Sequence, residues 1–296
     1  MVVDFSLAML AAMDSGAVKA NFKGIVIGDA WVSGVDSVDS WGPFLRSLDI
    51  VDDNGLAAIE VPTKACDAAV AAGNWQEAIN QWGNAEGVID SVSDGVDFYN
   101  ILKHGSAGDI LSSSAISARG SARAIRAARR MPPSALELAP AGVNRETLQK
   151  LFARHVGFSL GDPLDALMNG PIREKLNSGP NGKVIPDSVT WGAQSGDVFS
   201  TLSLDFMKPV TASLDALLAS ARINVTIEEG QIDLICSNWG AELWLKKLTW
   251  QGMPAFFAAP RVPRYASPQD KQQQNTGAFI RSAGGLTKYD VLSAGQ

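Results

Sequence analysis

Histidine and cysteine are scarce in this sequence, with two residues of each type among 296. Cys66 and Cys236 are too few for a disulfide framework, and they permit either one bridge or two free thiols. The histidines, His104 and His155, belong to no His-x-x-x-His motif and lie near no Cys-x-x-Cys pair. We therefore expect no metal site, since zinc sites need several such ligands at close spacing.

Long apolar runs and an excess of positive charge are also missing. No run reaches the roughly 18 apolar residues that a membrane-spanning helix needs, so we expect no membrane span. Lys and Arg number 25 against 31 Asp and Glu, and the net charge of −6 argues against nucleic acid as the main partner. The glycines at 179–183 are typical of a turn and not of a Walker phosphate loop, and we expect no cofactor.

Apolar side chains, in contrast, are plentiful: 46% of the residues are hydrophobic and 19% are charged. This composition excludes a disordered chain, a collagen and a coiled coil, and it supplies a sizeable core. The length of 296 residues predicts one large domain or two ordinary ones.

The order of the predicted elements indicates an α/β fold. An amphipathic helix over residues 1–16 precedes a short apolar strand at 22–27, and further strand patterns follow at 223–227 and 287–292. Strands of this kind pair in parallel and carry functional loops at their carboxyl ends.

The predicted domains follow from this order. Residues 1–35 and 166–296 are expected to form the core, and residues 36–165 a large helical insertion. Trp75 and Trp82 fall at helical spacing inside the insertion, which is typical of core anchors in a helical subdomain.

Within the insertion we expect an Ala/Arg-rich loop at about 105–150. Its arginines form either a basic patch for an anionic partner or the solvated face of a helix or surface insert. Arginine pairs are also natural targets for a processing protease, and an intact mass of the purified native protein tests that hypothesis. The arginines concerned are Arg119, Arg123, Arg126, Arg129 and Arg130.

One acidic residue is notable for its position. Asp233 follows the predicted strand at 223–227 and a turn at Gly230, and an apolar segment comes next. Loops after parallel strands carry catalytic groups in α/β enzymes, but an aspartate here could equally cap a helix that we expect to begin near Ser237. Position alone leaves both interpretations open.

Several blocks of the sequence resemble the serine carboxypeptidase family. The segment from Phe206 to Trp250 carries the longest likeness, with Gly230-Gln231-Ile232-Asp233 at its centre. The other blocks occur in the order that the family has, and the likeness covers nearly the whole sequence except residues around 105–150. These blocks are Ile27–Ser33, Asp36–Val38, Trp41–Pro43, Gly95–Asn100, Leu167–Arg173, Ile185-Pro186 and Trp191-Gly192.

The resemblance implies an α/β-hydrolase fold, here a partial one with a large helical cap insertion. Members of the family use a Ser–Asp–His triad to remove C-terminal residues from peptides, often at acidic pH. The serine attacks the scissile carbonyl, the histidine moves the proton, and the aspartate orients the histidine and stabilises its cation. Asp233 matches the triad aspartate, so the resemblance favours the catalytic interpretation of its position.

Two further residues acquire predicted roles from the resemblance. Cys236 matches a free cysteine that some members keep near the substrate site, so we predict a substrate-binding residue, with a buried structural thiol as the alternative. Asn224-Val225-Thr226 is a glycosylation sequon that suits a protein of the secretory pathway, whether extracellular, vacuolar or lysosomal. An ordinary strand start has the same composition and is the alternative there.

The departures from the family pattern concern the other two triad members. The family's nucleophile segment, Gly-Glu-Ser-Tyr-Gly-Gly, and its Asn-Gly-Gly-Pro-Gly segment do not occur in the sequence. Gly295 matches the glycine before the triad histidine, and Gln296 occupies the histidine position. Glutamine takes up no proton near neutral pH and cannot act as the general base. We therefore expect a C-terminal fragment of a family member that is inactive alone.

Three functions remain open on this evidence. The leading prediction is a serine-type carboxypeptidase that acts on peptide or protein C-termini. A non-catalytic pseudo-enzyme or binding module, which Gln296 favours, is the first alternative, and an acyltransferase of the carboxypeptidase-like type is the second. We also expect that the strand at 22–27 presents an unpaired apolar edge, so that the chain alone is poorly soluble or needs a complementing fragment. The oligomeric state stays open.

Overall fold

The computed structural model describes residues 1–104, 131–156, 163–180, 182–191 and 195–295. The arginines of the expected Ala/Arg-rich loop and Gln296 lie outside these described residues. The roles predicted for them therefore stay predictions.

Helices dominate the described part of the chain. One strand precedes the long helical region, and the other four strands of the described residues follow it. The helices are α1 (Val2–Asp14), α2 (Gly34–Ser47), α3 (Asp53–Ala71), α4 (Trp75–Ser93), α5 (Pro133–Glu137), α6 (Arg145–His155), α7 (Pro163–Leu167), α8 (Arg173–Asn177), α9 (Gly196–Thr201), α10 (Thr211–Ala219), α11 (Asn238–Lys247), α12 (Met253–Ala258) and α13 (Pro268–Gln272). The strands are β1 (Gly24–Gly28), β2 (Asn224–Gly230), β3 (Val262–Arg264), β4 (Ala278–Ala283) and β5 (Leu286–Val291).

Polar caps determine where several of these helices begin. The side chains of Asp52, Asn74 and Asn144 each accept a hydrogen bond from a backbone N–H in the first turn of α3, α4 and α6. Such caps satisfy backbone groups that have no partner inside the helix. The helical run at 163–177 bends at Gly170, directly before Pro171, as the proline predicts.

The strands form one mixed sheet in the order β1-β2-β5-β4-β3. β1, β2 and β5 run parallel, as the sequence predicts, with Ile25 opposite Val225 and Val225 opposite Leu286. β4 and β3 continue the sheet in antiparallel fashion, and the sequence pattern does not predict them. The reason is that neither has an apolar run, since β4 contains Arg281 and β3 contains Pro263.

Two apolar clusters form the core of the described residues. One lies in the helical region between β1 and β2, around the fully buried Trp41, and the other lies against the sheet, around Trp244. Leu234, Ile235 and Cys236 directly follow the sheet strand β2, yet they belong to the cluster of the helical region. The chain after β2 is therefore packed between the two parts of the molecule.

Helix α9 packs on α5 and α6 of the helical region. The division that the sequence suggests at residue 165 stays a prediction. β1 is an edge strand in the described part of the chain, as expected, and its Val26 side chain is 60% exposed. No helix in the described ranges is long and apolar enough to cross a membrane.

Candidate active site

The loops that follow β2 and β5 meet at the carboxyl end of the sheet. The Gln231 N–H donates to the Val291 carbonyl and the Ile232 N–H donates to the Ala294 carbonyl, both at 2.8 Å. Gly230 makes this approach possible, because a Cβ there would lie 2.6 Å from the Ala294 oxygen. The loop after β5 is therefore fixed beside the residues that follow β2.

Residues 96–101, which we call the Phe98 loop, reach the same place from the helical region. The Phe98 carbonyl accepts two backbone hydrogen bonds, from the Leu234 N–H at 3.0 Å and the Ile235 N–H at 2.9 Å. The Trp41 indole N–H donates to the Ile235 carbonyl at 3.3 Å. The helical region thus holds the backbone directly after Asp233.

The Phe98 loop contacts both chain segments that the resemblance associates with the triad. The Ile101 N–H donates to the Ile232 carbonyl at 3.0 Å, one residue before Asp233. Gly295 packs so closely on the same loop that a Cβ would lie 2.1 Å from the Tyr99 carbonyl oxygen. The position of Gln296 itself is outside the described residues.

Asp233 lies in the loop after β2 and is completely buried. Burial and the negative charge of Asp29 raise the pKa of Asp233 to about 8, while the nearby backbone N–H groups of Cys236 and Ile235 lower it. Neither carboxylate oxygen has a hydrogen-bond partner of normal geometry among the described residues. Burying a carboxyl group without hydrogen-bond partners costs free energy, so a hydrogen-bond donor that reaches Asp233 is bound strongly.

The alternative role of Asp233 as a helix cap is wrong. α11 begins after Ser237, whose hydroxyl accepts a hydrogen bond from the Gly240 N–H at 3.0 Å. The same hydroxyl shares a 2.6 Å hydrogen bond with the Ser40 hydroxyl of α2. Asp233 therefore has no part in starting the helix, and its burial needs another explanation.

Glu229 is a second buried carboxyl at this edge, and the sequence reasoning missed it. Its two oxygens each lie 3.3 Å from the Ala30 N–H, which donates to them. Burial raises the pKa of Glu229 well above its usual range, Lys288 and the Ala30 N–H lower it, and Asp233 raises it further. The signal was present in the alternation of β2, because residues 225, 227 and 229 share its buried face.

Lys288 supplies the matching buried positive charge from β5, with only 3% of its side chain exposed. Its ammonium group donates to Asn238 Oδ1 at 2.7 Å and to the Asp290 carboxylate. Burial works to raise the pKa of Asp290, but Lys288 and Arg261 outweigh it and hold the pKa below its usual range. The alternation of β5 also points to Lys288, which shares the buried face with Leu286.

Asp29 completes the acidic group at the end of β1. Its backbone has a φ of +47° and its N–H donates to the Glu228 carbonyl at 2.9 Å. Burial and the charge of Glu228 raise the pKa of Asp29. The site therefore holds several carboxyls whose negative charge favours a neighbouring cation.

Both cysteines are free and buried, so the alternative of a disulfide bridge between them is wrong. Burial raises the pKa of Cys66 to about 12, and burial and the charge of Asp233 raise that of Cys236 well above its usual range. The Cys236 thiol therefore stays protonated, which suits a packing role. Its predicted role in substrate binding stays a prediction.

Asn224 lies at the opposite end of β2 from Asp233. Its side chain is exposed, while its backbone N–H donates to the Lys23 carbonyl at 2.9 Å. The predicted glycosylation site is thus remote from the candidate active site. Among the residues that the structure describes, no group of three or more His, Cys, Asp or Glu side chains could hold a metal ion.

The fold resembles a solved structure of known class. A prohormone-processing carboxypeptidase from Saccharomyces cerevisiae matches with a TM-score of 0.61 over 99% of this chain and 55% of that chain, at 16% sequence identity. The mixed sheet with its helices therefore has the α/β-hydrolase fold.

Sequence comparisons identify the family within that class. A family profile described as serine carboxypeptidase matches residues 3–296. Retinoid-inducible serine carboxypeptidase from Rattus norvegicus is 38% identical over 295 residues, which cover 100% of this chain and 57% of the relative. Serine carboxypeptidase-like 51 from Arabidopsis thaliana is 33% identical over 301 residues, covering 99% of this chain and 58% of the relative. The chain belongs to the serine carboxypeptidase family, and it spans little more than half the length of these curated relatives.

Proposed function

We propose that Asp233 is the acid of a Ser–His–Asp triad, and that this chain contributes it to a serine carboxypeptidase acting on the C-termini of peptides or proteins. The observation that carries the proposal is the Asp233 carboxyl, which is buried in the loop after β2 with both oxygens lacking partners in the described part of the chain. Membership of the family supports the same role.

The chemistry of a triad suits this environment. An imidazole N–H that reaches an Asp233 oxygen supplies the missing hydrogen bond, and the charge of an imidazolium lowers the raised pKa of the carboxyl. The ionised carboxylate then orients the ring and stabilises its cation while a serine hydroxyl attacks the peptide carbonyl. Asp29 adds negative charge that favours the same cation.

The nucleophile is not assigned to any residue of this chain. Residues 1–296 contain no Gly-Glu-Ser-Tyr-Gly-Gly segment and no histidine at position 296, so we propose that they do not hydrolyse peptides by themselves. One Gly-x-Ser-x-Gly pattern occurs, at residues 157–161, outside the described residues. It directly follows helix α6, whereas the nucleophile elbow of an α/β-hydrolase follows a strand.

A second candidate function rests on Gln296. If glutamine is the residue that faces Asp233, the chain binds peptide C-termini without cleaving them, because an amide does not accept a proton as a general base does. Sequencing of the transcript through both ends separates the two candidates. Continuation into a Gly-Glu-Ser-Tyr-Gly-Gly segment, with histidine in place of glutamine, supports the hydrolase, and a transcript coding for residues 1–296 alone supports the binding module.

The kinetic test uses the full translation product of that transcript. Asp233→Asn is expected to lower kcat by about 10⁴-fold on a peptide with a free C-terminus. Asp205→Asn is the matched control, since the Asp205 carboxyl is exposed and pairs with Lys208. An amidated peptide should not be cleaved, and transfer of the acyl group to an added alcohol in preference to water would assign an acyltransferase instead. An unchanged kcat for Asp233→Asn overturns the proposal.

The proposed location of the protein is the secretory pathway. The exposed side chain of Asn224 in an Asn-Val-Thr sequon supports this, because glycans are added to such sequons during secretion. Treatment of the native protein with an endoglycosidase should reduce its mass, and Asn224→Gln should remove the difference. A native mass that equals the polypeptide mass before treatment contradicts the proposal.

A further inference from the structure

The buried side chains of Glu86 and His155 and the half-buried side chain of Tyr99 form a hydrogen-bonded chain that the proposed triad does not use. The Tyr99 hydroxyl lies 2.7 Å from His155 Nδ1, and His155 Nε2 lies 2.7 Å from Glu86 Oε1. Arg154 donates to the other Glu86 oxygen at 2.5 Å. The chain runs from α4 through the last residue of α6 to the Phe98 loop.

The Glu86 carboxylate fixes the direction of the hydrogen bonds that it receives from His155 and Arg154. Burial works to raise the pKa of Glu86, but the charges of His155 and Arg154 outweigh it and hold the pKa below its usual range. Ionised Glu86 only accepts hydrogen bonds, so His155 must donate from Nε2. The 2.7 Å hydrogen bond between Nδ1 and the Tyr99 hydroxyl then links the Phe98 loop to α6, whichever of the two atoms carries the proton.

The arrangement has the connectivity of a triad, but tyrosine is not its nucleophile. Burial and the negative charge of Glu86 raise the pKa of Tyr99, so its hydroxyl keeps its proton. The His155 ring is held in place as well, because it stacks on Trp82 with ring centroids 5.5 Å apart. A hydroxyl that is hydrogen-bonded to a fixed ring holds in place the segment that carries it.

That segment is the Phe98 loop, which holds the backbone on either side of Asp233. The residue before Tyr99 accepts the Leu234 and Ile235 N–H groups, and Tyr99 itself packs on Gly295. The Tyr99 hydroxyl ties this loop to α6 through His155, and the neighbouring Phe98 ring adds contacts with Trp41 of α2 and Arg154 of α6. A shift of Tyr99 therefore moves the loops around Asp233 and Gly295 together.

We propose that Glu86, His155 and Tyr99 are positioning residues for Asp233, acting through the Phe98 loop. The role given to Asp233 rests on the proposed function, whereas the effect on the backbone at 234–235 does not. The test therefore measures the backbone directly, by hydrogen–deuterium exchange of assigned amides in the full chain, and needs no turnover.

Three variants separate the effect of the hydrogen bonds of Tyr99 and His155 from the effect of the volume of their side chains. Tyr99→Phe removes only the hydroxyl, and His155→Phe keeps a ring against Trp82 but removes both nitrogens. His155→Gln keeps one donor for Glu86 and one acceptor for Tyr99. Tyr289→Phe, on β5, is the matched control for the loss of a tyrosine hydroxyl elsewhere.

Tyr99→Phe and His155→Phe should each speed exchange of the Leu234 and Ile235 amides by about fivefold, the effect of losing one net hydrogen bond. The amides of residues 59–66 in α3 should not change, and His155→Gln and Tyr289→Phe should leave all of these rates as they are. Unchanged rates at Leu234 and Ile235 in Tyr99→Phe overturn the proposal. A rise that is equal across the core also overturns it, because the hydroxyl then serves only global stability.

Nitrogen NMR of the unaltered chain gives a second test that no folding defect can obscure. With only two histidines, the His155 signals are assigned by comparison with His104→Gln. We expect a proton on Nε2, and a ring protonated only on Nδ1 contradicts the proposal. If the exchange and the tautomer agree but Asp233→Asn leaves kcat unchanged, the proposed function fails while the control of the loop by Tyr99 stands.

Discussion

Two glycines at the carboxyl end of the sheet are packed so closely that no side-chain atom could be added to them. At Gly230 and Gly295 a backbone carbonyl lies where a Cβ would be, and the side chains of Glu229 and Lys288 are buried at the same end of the sheet. Asp233 was predictable because it follows an apolar strand and a turn. The burial of Lys288 near Glu229 was not predictable, because Lys288 belongs to β5, far along the sequence from β2.

Gly230→Ala should lower the free energy of unfolding by about 1–3 kcal/mol, because the new Cβ meets the Ala294 carbonyl oxygen at 2.6 Å and the backbone must shift. Gly87→Ala is the matched control in α4, where a Cβ meets nothing within 4 Å. It should raise stability by up to about 1 kcal/mol, since alanine favours a helix more than glycine does. Urea denaturation of both variants measures the difference, and equal stabilities contradict the packing described for Gly230.

Lys288→Met should cost about 1.5–3 kcal/mol, because it removes the buried cation that donates to Asp290 and Asn238, while Arg261 stays paired with Asp290. Lys64→Met is the surface control, since Lys64 pairs with Glu60 in solvent and contributes less than about 1 kcal/mol. The shift in denaturation midpoint at constant slope gives both values. A loss of stability that is no greater for Lys288→Met than for Lys64→Met shows that the buried ammonium group of Lys288 contributes no more than a surface ion pair.

At the scale of elements, the parallel half of the sheet follows from local pattern and the antiparallel half does not. The sequence patterns of β1, β2 and β5 identify them as strands, whereas β3 and β4 lack such a pattern and are paired through β5. The N-terminal helix and the caps at Asn74 and Ser237 are likewise local signals. The Phe98 loop has no such signal, since its partners come from three separate parts of the chain.

The unpaired edge of β1 is expected to promote self-association of the chain. This outer edge is unpaired among the described residues, and Val26 is exposed on it, so another strand can add there. Val26→Lys should reduce self-association, measured by light scattering against protein concentration. Val61→Lys is the control, because Val61 is equally apolar and exposed but lies on helix α3. If both variants reduce association equally, surface charge and not the open edge is the cause.

At the scale of the whole molecule, buried carboxyls make stability depend on pH. Burial and the neighbouring Asp67 raise the pKa of Asp39 to about 7, and the pKa of Asp233 is raised to about 8. Both folded-state values exceed the values of an unfolded chain, so the folded state binds more protons between about pH 4 and pH 8. Stability therefore falls as pH rises through that range.

The denaturation midpoint should accordingly be higher near pH 5 than near pH 8. Below about pH 4 the trend reverses, because Glu86 and Asp290 have lowered pKa values and lose their ion pairs on protonation. Asp39→Asn should flatten the slope between pH 5 and pH 8, and Asp197→Asn, an exposed control on α9, should leave it unchanged. A midpoint that is constant or rises from pH 5 to pH 8 contradicts this assignment.

The Phe98 loop also determines what kind of motion the helical region has. Swinging that region away from the sheet as a lid would break the bonds of the Phe98 carbonyl and expose Leu234 and Ile235 to water. The described part of that region is therefore fixed against the residues that follow β2, and the two move as one body.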